Sequence, residues 1–417
     1  MKCPVVRGRF AVESEYLRTV IWHYRTRVLV WATCDWQSDL IEGFMINKSD
    51  NNSYDQDATT VSRDMRQFLQ QIATGPALSK DLSVTDARLG MEYILDGRAD
   101  EVQAAIFLIA LRMKRETIEE LHGVLQALLA RTKTVEVDVP DIIDIADPFD
   151  GYVRGVPVAP FLPPLLAACG VPTVTNGVSS MGPKYGMTAH RVLGAAGCPV
   201  DMTLESAAGQ ITNNDIGWSY VDQSQACPAL YRLLELRTRI VKRPCLTTLE
   251  VLLGPMRAKR THLMTGYVHK PYPPIYTELA RLAGYSSAMV VRGIEGGVIP
   301  SLNQASKCFS YQDGLPDEEM RLDPKTAGVI SVTRTVPWPV DKERLESQRG
   351  LVDYCVGQGL SALGGEVGPF REGLLYSASL CLLHLGRVPD WSTARICATR
   401  ALDSGESLAR FQRATQQ

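Results

Sequence analysis

The feature that most constrains the fold is a change in hydrophobic periodicity near residue 135. From Met65 onward the apolar residues recur three or four positions apart, as in a helix with one buried face. After Val135, short β-branched runs such as DIIDIAD, VPTVTNG, LMTGYV, AMVVRG and GVISVT alternate with helical segments. Strand, loop and helix in succession indicate a parallel sheet with helices on its faces. The sequence therefore predicts an α/β protein, with a small all-α domain joined to a larger α/β domain that has a mostly parallel central sheet.

Capping residues mark where three of the predicted helices begin. Ser83 stands three residues before Asp86, Asp100 precedes the run EVQAAIFLIALRM, and Thr117 forms a capping box with Glu120. The helix after Asp100 is apolar nearly all round, which predicts that it is buried.

Residues 1–64 follow neither pattern. They contain a mixed aromatic and basic stretch, YLRTVIWHYRTRVLVW, and then the polar stretch NKSDNNSYDQDATT. We expect an N-terminal extension (1–64) that ends in a flexible linker.

The composition argues against several classes of function. The 417 residues carry a net charge of -2, which gives no global attraction to nucleic acid or anionic membranes, although a local basic patch stays open. The ten cysteines are scattered and form no CxxC pair, which argues against a zinc site or a disulfide framework and favours the cytoplasm. No apolar run reaches membrane-spanning length, so we expect no membrane association. Glu13 and Glu15 argue against a targeting peptide.

Three loops follow predicted strands, where open α/β sheets bind their ligands. They are the first loop, ADPFDGYVRG (146–155), the second loop, TNGVSSMGPKYGMT (175–188), and the third loop, RGIEGGVIP (292–300). The second loop combines three glycines, the hydroxyls of Ser179 and Ser180, the cation of Lys184 and a following helix N-terminus. This combination is typical of an anion-binding cradle, while a plain Gly/Ser turn is the alternative.

Aspartate recurs at every third position from Asp138 to Asp150. Residues at this spacing alternate between the two faces of a strand and cannot all converge. We expect most of these carboxylates to be solvated or in loops. Asp147 and Asp150 lie beyond the strand end and are the two that can face a pocket.

Segments in the same order resemble motifs of the anthranilate phosphoribosyltransferase family, which belongs to glycosyltransferase family 3 and shares the class II nucleoside phosphorylase fold. TNGVSSMGPKYGMTAHRVLGAAG is similar to the stretch lysine-histidine-glycine, two serines, glycine and a helix ending in leucine-glycine. CPALYRLLELR resembles HPAMK…VRR, LEVLLGPM resembles FNLLGPL, and TGYVHKPY resembles VGVYDP. ARLAGYSSAMVVRGIEGG resembles the region around hGxDG, and GGEVGPFREGLLYSASLCLLHLG resembles the closing helix. The resemblance covers residues 65 to 410 in outline.

The resemblance implies that the helical domain is discontinuous. It assigns residues 65–134 and about 222–247 to a helical dimerisation domain, and residues 135–221 and 248–417 to the α/β domain. It also implies a homodimer and a phosphorylated ribose or nucleotide-like ligand.

The same resemblance assigns ligand-binding positions but no catalytic residue. The implied substrate- or anion-binding residues are Asp150, Gly151, Asn176, Gly177, Ser179, Ser180, Lys184 and Arg237. Arg237 falls at the arginine that binds the substrate carboxylate in the family. Glu295, between glycines of the third loop, is the best surviving carboxylate for a metal or a ribose hydroxyl.

The sequence departs from the family at the diphosphate and metal sites. The family's GTGGD, followed by NIST, reads ADPFDG followed by RGVPVA, so that only Asp150 and Gly151 match. The lysine-histidine pair reads Thr175-Asn176. The aspartate-glutamate pair that holds magnesium is absent, and 298–300 in its neighbourhood reads VIP. Magnesium is therefore implied by the family, but the hard oxygen ligands that it needs are missing.

Two hypotheses follow for the function. The first is a divergent phosphoribosyltransferase-like protein that transfers or binds a phosphorylated ribose and has weak or no anthranilate phosphoribosyltransferase activity. The second is a non-catalytic protein on the same fold that binds nucleic acid or a protein partner, as a divergent branch of the family suggests.

Overall fold

A computed structural model describes residues 48–75, 77–339 and 348–416. Its helices are α1 Lys48–Ile72, α2 Val84–Leu95, α3 Glu101–Lys114, α4 Ile118–Arg131, α5 Leu162–Ala168, α6 Ala189–Ala195, α7 Leu204–Thr212, α8 Gln223–Ala226, α9 Pro228–Tyr231, α10 Leu234–Ile240, α11 Leu246–Leu249, α12 Tyr272–Leu282, α13 Gln348–Leu363, α14 Pro369–His384, α15 Trp391–Asp403 and α16 Glu406–Ala414. Its strands are β1 Val135–Glu136, β2 Asp141–Ala146, β3 Thr173–Gly177, β4 Trp218–Asp222, β5 Met256–Arg257, β6 Arg260–Gly266, β7 Ser287–Val291, β8 Ser306–Gln312 and β9 Glu318–Leu322.

The polar stretch before Met65 is helical rather than a linker. Helix α1 begins at Lys48, so the expectation of a flexible linker is wrong for residues 48–64. Val61, Met65, Phe68 and Ile72 are spaced four, three and four residues apart and are all buried. This apolar stripe fixes the C-terminal half of the helix, and the polar residues before it extend the same helix. The rest of the predicted extension, residues 1–47, lies outside the described residues.

The predicted helix caps are confirmed. The Ser83 side chain accepts a hydrogen bond from the Asp86 amide, and Asp100 accepts from the second and third residues of α3. Thr117 and Glu120 form both hydrogen bonds of a capping box.

Helix α3 is buried on one side only, which corrects the expectation of a helix buried all round. Phe107 and Leu108 are buried, whereas Val102 is 66% exposed, Ile106 40% and Met113 76%. These three exposed residues form an apolar stripe along the outer face of α3.

The main sheet has seven strands in the order β4-β3-β2-β6-β7-β8-β9. The first five strands in this order, β4, β3, β2, β6 and β7, run parallel to one another. Strands β8 and β9 are antiparallel to their neighbours and complete the sheet on the side of β7. The strand predicted at GVISVT is wrong, because residues 328–333 form no strand. Ile330 and Val332 there are exposed to solvent, so an apolar run alone did not indicate a paired strand.

Three apolar clusters lie against the sheet, and the smallest contains Ile142, Val174 and Val221 together with residues of α7. Ile143 and Ile145 of β2 pack in the core that contains Phe161 and α14. Leu263 and Val290 pack in the core of the other face, which also contains the buried residues of α1 to α4 and of segment 227–249. A hydrogen bond of 3.1 Å from the Arg232 side chain to the Leu95 carbonyl also links segment 227–249 to α2. The predicted domain boundaries stay a prediction.

The strand order reverses between β2 and β6. From β2 the chain proceeds to β3 and β4 on one side, and from β6 to β7 on the other. Open α/β sheets bind their ligands beyond the carboxyl ends of the strands at such a point. None of the described helices is long and apolar enough to cross a membrane.

Candidate functional site

The first and second loops pack directly on each other. Tyr152 and Met187 exchange two backbone hydrogen bonds of 3.0 and 2.8 Å, and the Gly186 amide donates to the Asp150 carbonyl over 2.9 Å. A Cβ atom on Gly151 or on Gly186 would lie 2.6–2.7 Å from backbone atoms of the opposite loop. Gly151 also has a φ of 71°, in the left-handed region that favours glycine. Glycine at these two positions therefore serves the close contact between the loops.

Asp150 lies at the centre of a cationic cluster. Its Oδ1 is 3.1 Å from Lys184 Nζ, and its Oδ2 accepts from Arg243 Nε over 3.0 Å and from a second nitrogen of the same guanidinium. Asp150 is buried, whereas 43% of the Arg243 side chain is exposed. Sequence reasoning identified Asp150 and Lys184 but missed Arg243, because 93 positions separate Arg243 from Asp150 and no motif connects them.

Glu295 faces the backbone of the first loop. Its carboxylate accepts from the Arg154 amide over 2.7 Å and from the Val153 amide over 3.2 Å. Lys184 Nζ lies 3.8 Å from the second carboxylate oxygen. The carboxylate thus occupies two consecutive amide donors and a lysine, which is not the oxygen-rich surrounding of a metal ligand. Its predicted role towards a metal or a ribose stays a prediction.

Asp147 is buried at the same edge of the sheet. Its Oδ1 accepts from the Tyr152 hydroxyl over 2.7 Å and from the Val298 amide over 3.1 Å. Burial raises its pKa to about 6, although both hydrogen bonds and Lys184 act in the opposite direction. A Cβ atom on Gly297 would overlap the Tyr152 hydroxyl, so the third loop has no room for a larger residue there.

Asn176 is bonded to a buried aspartate of the neighbouring strand, and its role towards a ligand stays a prediction. Its Nδ2 donates to Asp144 Oδ1 over 2.8 Å, and its Oδ1 is buried without a partner in the described chain. Asp144 also accepts from the Tyr285 hydroxyl over 2.8 Å, and burial raises its pKa to about 7.

Among the aspartates of the three-residue series, Asp138 is exposed, Asp147 and Asp150 lie in the first loop, and Asp144 is buried within strand β2. Asp144, Asp147 and Asp150 are all buried, and each has hydrogen-bond partners. Strand β2, which carries Asp144, is covered on both faces, so alternation along the strand does not predict exposure there.

The two serines of the second loop are half-buried, and no hydrogen bond of their hydroxyls is found within the described ranges. The Ser179 carbonyl accepts from Arg191 Nε over 2.8 Å and from the Thr188 hydroxyl over 3.2 Å. The cradle that the sequence predicts is thus reduced to the hydroxyls of Ser179 and Ser180 with Lys184. Gly177, at the end of β3, lies beside the Tyr220 hydroxyl.

Arg237 is held by an internal acid. Its two terminal nitrogens lie 2.7 and 3.0 Å from the two carboxylate oxygens of Glu250, and both residues are buried. A substrate carboxylate that used the same two nitrogens of Arg237 would have to displace Glu250. The substrate role of Arg237 stays a prediction. Sequence reasoning missed Glu250, because it is the one charged residue of the otherwise apolar segment LEVLLGPM.

A histidine and an aspartate meet at the neighbouring strand end. His190 Nδ1 lies 2.9 Å from Asp222 Oδ2, and the Tyr220 hydroxyl is 3.3 Å from the same oxygen. Burial acts to raise the pKa of Asp222, but the hydrogen bonds from His190 and Ser224 outweigh it and lower that pKa. His190 is the second residue of α6, directly after the second loop, and no local sequence pattern connects it with Asp222.

The residues present do not fit a magnesium diphosphate. Val298, Ile299 and Pro300 are buried and offer no side-chain oxygen. Across the described ranges, no group of three or more histidine, cysteine, aspartate or glutamate side chains could hold a metal ion. The Mg²⁺ ion of a diphosphate complex requires carboxylate and water oxygens, so no step through a metal is derived for this chain.

The space beside the first and third loops is small and apolar. A cavity of about 10 Å³ is lined by Tyr152, Val156, Val158, Ile294, Ile299, Pro300, Leu302, Thr335 and Val336. That volume suits about one water molecule, whereas ligand pockets measure roughly 300–1,000 Å³. A groove of about 440 Å³ along α15 includes no residue of the three loops.

Comparisons with known proteins find relatives that cover most of the chain. The helical bundle domain of the glycosyl transferase family matches residues 66–132. An uncharacterised protein of Aquifex aeolicus is 28% identical over 307 residues, which cover 74% of this chain and 89% of that protein. The anthranilate phosphoribosyltransferase of Erythrobacter litoralis is 28% identical over 339 residues, which cover 80% of this chain and 96% of the enzyme.

Solved structures show the same fold. Anthranilate phosphoribosyltransferase from Thermus thermophilus matches with a TM-score of 0.65 at 18% identity, covering 85% of this chain and 98% of that chain. The Saccharomyces cerevisiae enzyme in complex with PRPP and Mg matches with a TM-score of 0.66 at 18% identity, covering 84% of this chain and 98% of that chain. The predicted fold class, a small helical domain with a larger α/β domain, is confirmed.

Proposed function

Since this chain is a divergent member of the anthranilate phosphoribosyltransferase family, we propose that it binds a phosphorylated ligand but has little or no anthranilate phosphoribosyltransferase activity. The observation that carries the proposal is the convergence of Lys184 and Arg243 on the carboxylate of Asp150. Two cations around one anion at the carboxyl edge of a sheet are an arrangement that also suits a phosphate.

Uncompensated positive charge on the loops supports binding of an anion. Arg154 of the first loop and Arg292 of the third loop are exposed, and neither has an acidic partner among the described residues. Together with Lys184 and Arg243 they outnumber the carboxylates of Asp150 and Glu295. A phosphorylated ligand would therefore meet a net positive edge.

The expected loss of transfer rests on the missing metal ligands. Departure of a diphosphate leaves negative charge that the family stabilises with magnesium and a glycine-rich loop. Here Pro148 removes one amide of that loop, and segment 298–300 supplies no metal ligand. Removing such stabilisation typically costs a factor of 10² to 10³ or more in rate, on the order of several kcal/mol.

Thermal unfolding with phosphoribosyl diphosphate tests the binding. We expect stabilisation of about 2.7 kcal/mol at 100 times the dissociation constant, equal with and without magnesium. Lys184→Ala should reduce this stabilisation, whereas Arg400→Ala on the exposed face of α15 should not. Stabilisation that is absent at every concentration would contradict binding. Magnesium-dependent turnover of anthranilate at ordinary enzyme rates would contradict the loss of transfer.

We also propose that a second copy of the chain packs on the outer face of α3. Val102, Ile106 and Met113 are exposed and lie on one side of this helix, four and seven residues apart. A stripe of large apolar side chains at this spacing is typical of a helix that packs against another helix. Ile106→Glu should convert a dimer into a monomer in analytical ultracentrifugation, while Val332→Glu, at a site 96% exposed in another segment, should not. A monomeric wild-type protein would refute the proposal.

We propose the cytoplasm, which the free thiols of the described cysteines support. Nucleic-acid binding stays a prediction that no contact described above favours.

A further inference from the structure

We propose that Glu295 is a displaceable internal occupant of the anion site, so that a phosphorylated ligand binds only when this carboxylate leaves the first loop. The inference rests on the proposed function, because it concerns the regulation of the same loops. It adds a gate that belongs to this chain.

The contacts of Glu295 are those of a bound anion. Its oxygens accept from two consecutive amides, those of Val153 and Arg154, and lie 3.8 Å from Lys184 Nζ. Only 5% of the side chain is exposed. Consecutive backbone amides with a nearby lysine are a common way for proteins to hold phosphate oxygens. The carboxylate therefore occupies the donors that an external phosphate would use.

The backbone of the third loop suits a group that can leave. Glu295 has a φ of 55°, and Gly296 after it has a φ of 86°. A residue other than glycine holds the left-handed region only when the surrounding contacts favour it. The contacts of the carboxylate are such contacts, so breaking them lets the loop relax. The base of the loop stays fixed, because Gly293 and Pro300 form a bridge.

Asp150 does not play this part. It is held by Arg243 as well as by Lys184, and it lies on the loop that packs against Gly186. Displacement of Glu295 leaves Lys184 in place, 3.1 Å from Asp150 Oδ1. A phosphate would then take the two amides and share the lysine with Asp150.

Removal of the carboxylate should open the site. Titration calorimetry with inorganic diphosphate, without metal, compares the wild type with Glu295→Ala and Glu295→Gln. A site that is open for only a fraction of the time binds more weakly by that fraction, so we expect Glu295→Ala to bind at least about tenfold more tightly than the wild type. Glu295→Gln keeps the shape and removes the charge, and should fall between them. Glu278→Ala, at an exposed acid that pairs with His122, is the matched control and should bind as the wild type does.

The outcomes separate this inference from the proposed function. Tight binding of diphosphate by the wild type, unchanged in both Glu295 variants, would overturn the gate and leave the proposed function intact. No binding by the wild type or by either folded variant would overturn both. A gain in Glu295→Ala that disappears in the double variant with Lys184→Ala would support the gate, whereas a gain that persists there would place the new site elsewhere and overturn it. Circular dichroism and thermal unfolding establish that each variant is folded, and Glu295→Gln provides the test if the alanine variant is not.

Discussion

The buried ion pair between Arg237 and Glu250 determines whether this arginine can receive a ligand. The guanidinium and the carboxylate meet through two contacts of 2.7 and 3.0 Å, and the two residues are 5% and 2% exposed. Thr247 and Gln223 make only longer contacts of 3.4 Å with the pair. If one partner is removed, the other keeps a buried charge without compensation.

The magnitude follows from that burial. Arg237→Met and Glu250→Leu should each lower the free energy of unfolding by about 3–5 kcal/mol, because each leaves an unpaired buried charge. The double variant replaces both charges by apolar groups, and we expect it to lie within about 2 kcal/mol of the wild type. The two single effects should therefore be strongly non-additive.

Urea unfolding followed by circular dichroism at pH 7 measures these differences. The exposed pair Arg88–Glu92 on α2 is the matched control, and Arg88→Met should cost only about 0.3–0.5 kcal/mol. A loss of less than about 1 kcal/mol for Arg237→Met would refute the reasoning, since it is the cost of a solvent-exposed pair. The guanidinium would then be free for a substrate carboxylate.

Two further predictions concern the core. The pKa of Asp144 is raised to about 7, above its ordinary value of 3.8, so the folded state binds more protons between these values and the free energy of unfolding should fall as pH rises through that window. Asp144→Asn should flatten that slope in urea unfolding at pH 4.5, 5.5, 6.5 and 7.5, and an unchanged slope would contradict the assignment. A Cβ atom on Gly359 would overlap the buried ring of Phe161, so Gly359→Ala should cost about 1–3 kcal/mol in the same assay, with partial rescue by Phe161→Leu. A neutral Gly359→Ala, or no rescue, would show that the helix and ring can separate.

The structural features that depend on neighbouring residues could be predicted from the sequence. The side chains of Ser83 and Thr117 each accept from an amide three positions further along the chain, so the local sequence contains all the information for these caps. The parallel strands β2, β3, β6 and β7 were predicted from their β-branched runs, whereas the parallel strand β4 was missed. The antiparallel strands β8 and β9 were also missed, because SKCFSYQ and EEMRL contain no such run and β9 is a polar edge strand.

The candidate site could be predicted only in part. The three loops follow β2, β3 and β7 as predicted, because the ends of these strands are marked in the sequence. Their role in binding stays a prediction. The partner of Lys184 and the role of Glu295 depend on contacts across 34 and 111 positions, which no local pattern encodes. A carboxylate between glycines can bind either a metal or a pair of backbone amides. Only the folded structure shows that the Glu295 carboxylate contacts two amides.

Three internal acids, Glu250, Asp150 and Glu295, explain how the fold persists where the family's ligand signatures are lost. A buried cation or amide whose only partner is a ligand destabilises the ligand-free protein, because the donor loses its water without gaining another hydrogen bond. In this chain Glu250 pairs with Arg237, Asp150 pairs with Lys184 and Arg243, and Glu295 occupies the amides of the first loop. Each of these donor groups thus has a partner within the protein itself. The native state can therefore form without phosphoribosyl diphosphate or magnesium, and any ligand must compete with an internal carboxylate. That competition makes weak binding the expected state of the wild-type protein, and removal of an acid, rather than addition of a base, is the change that should strengthen it.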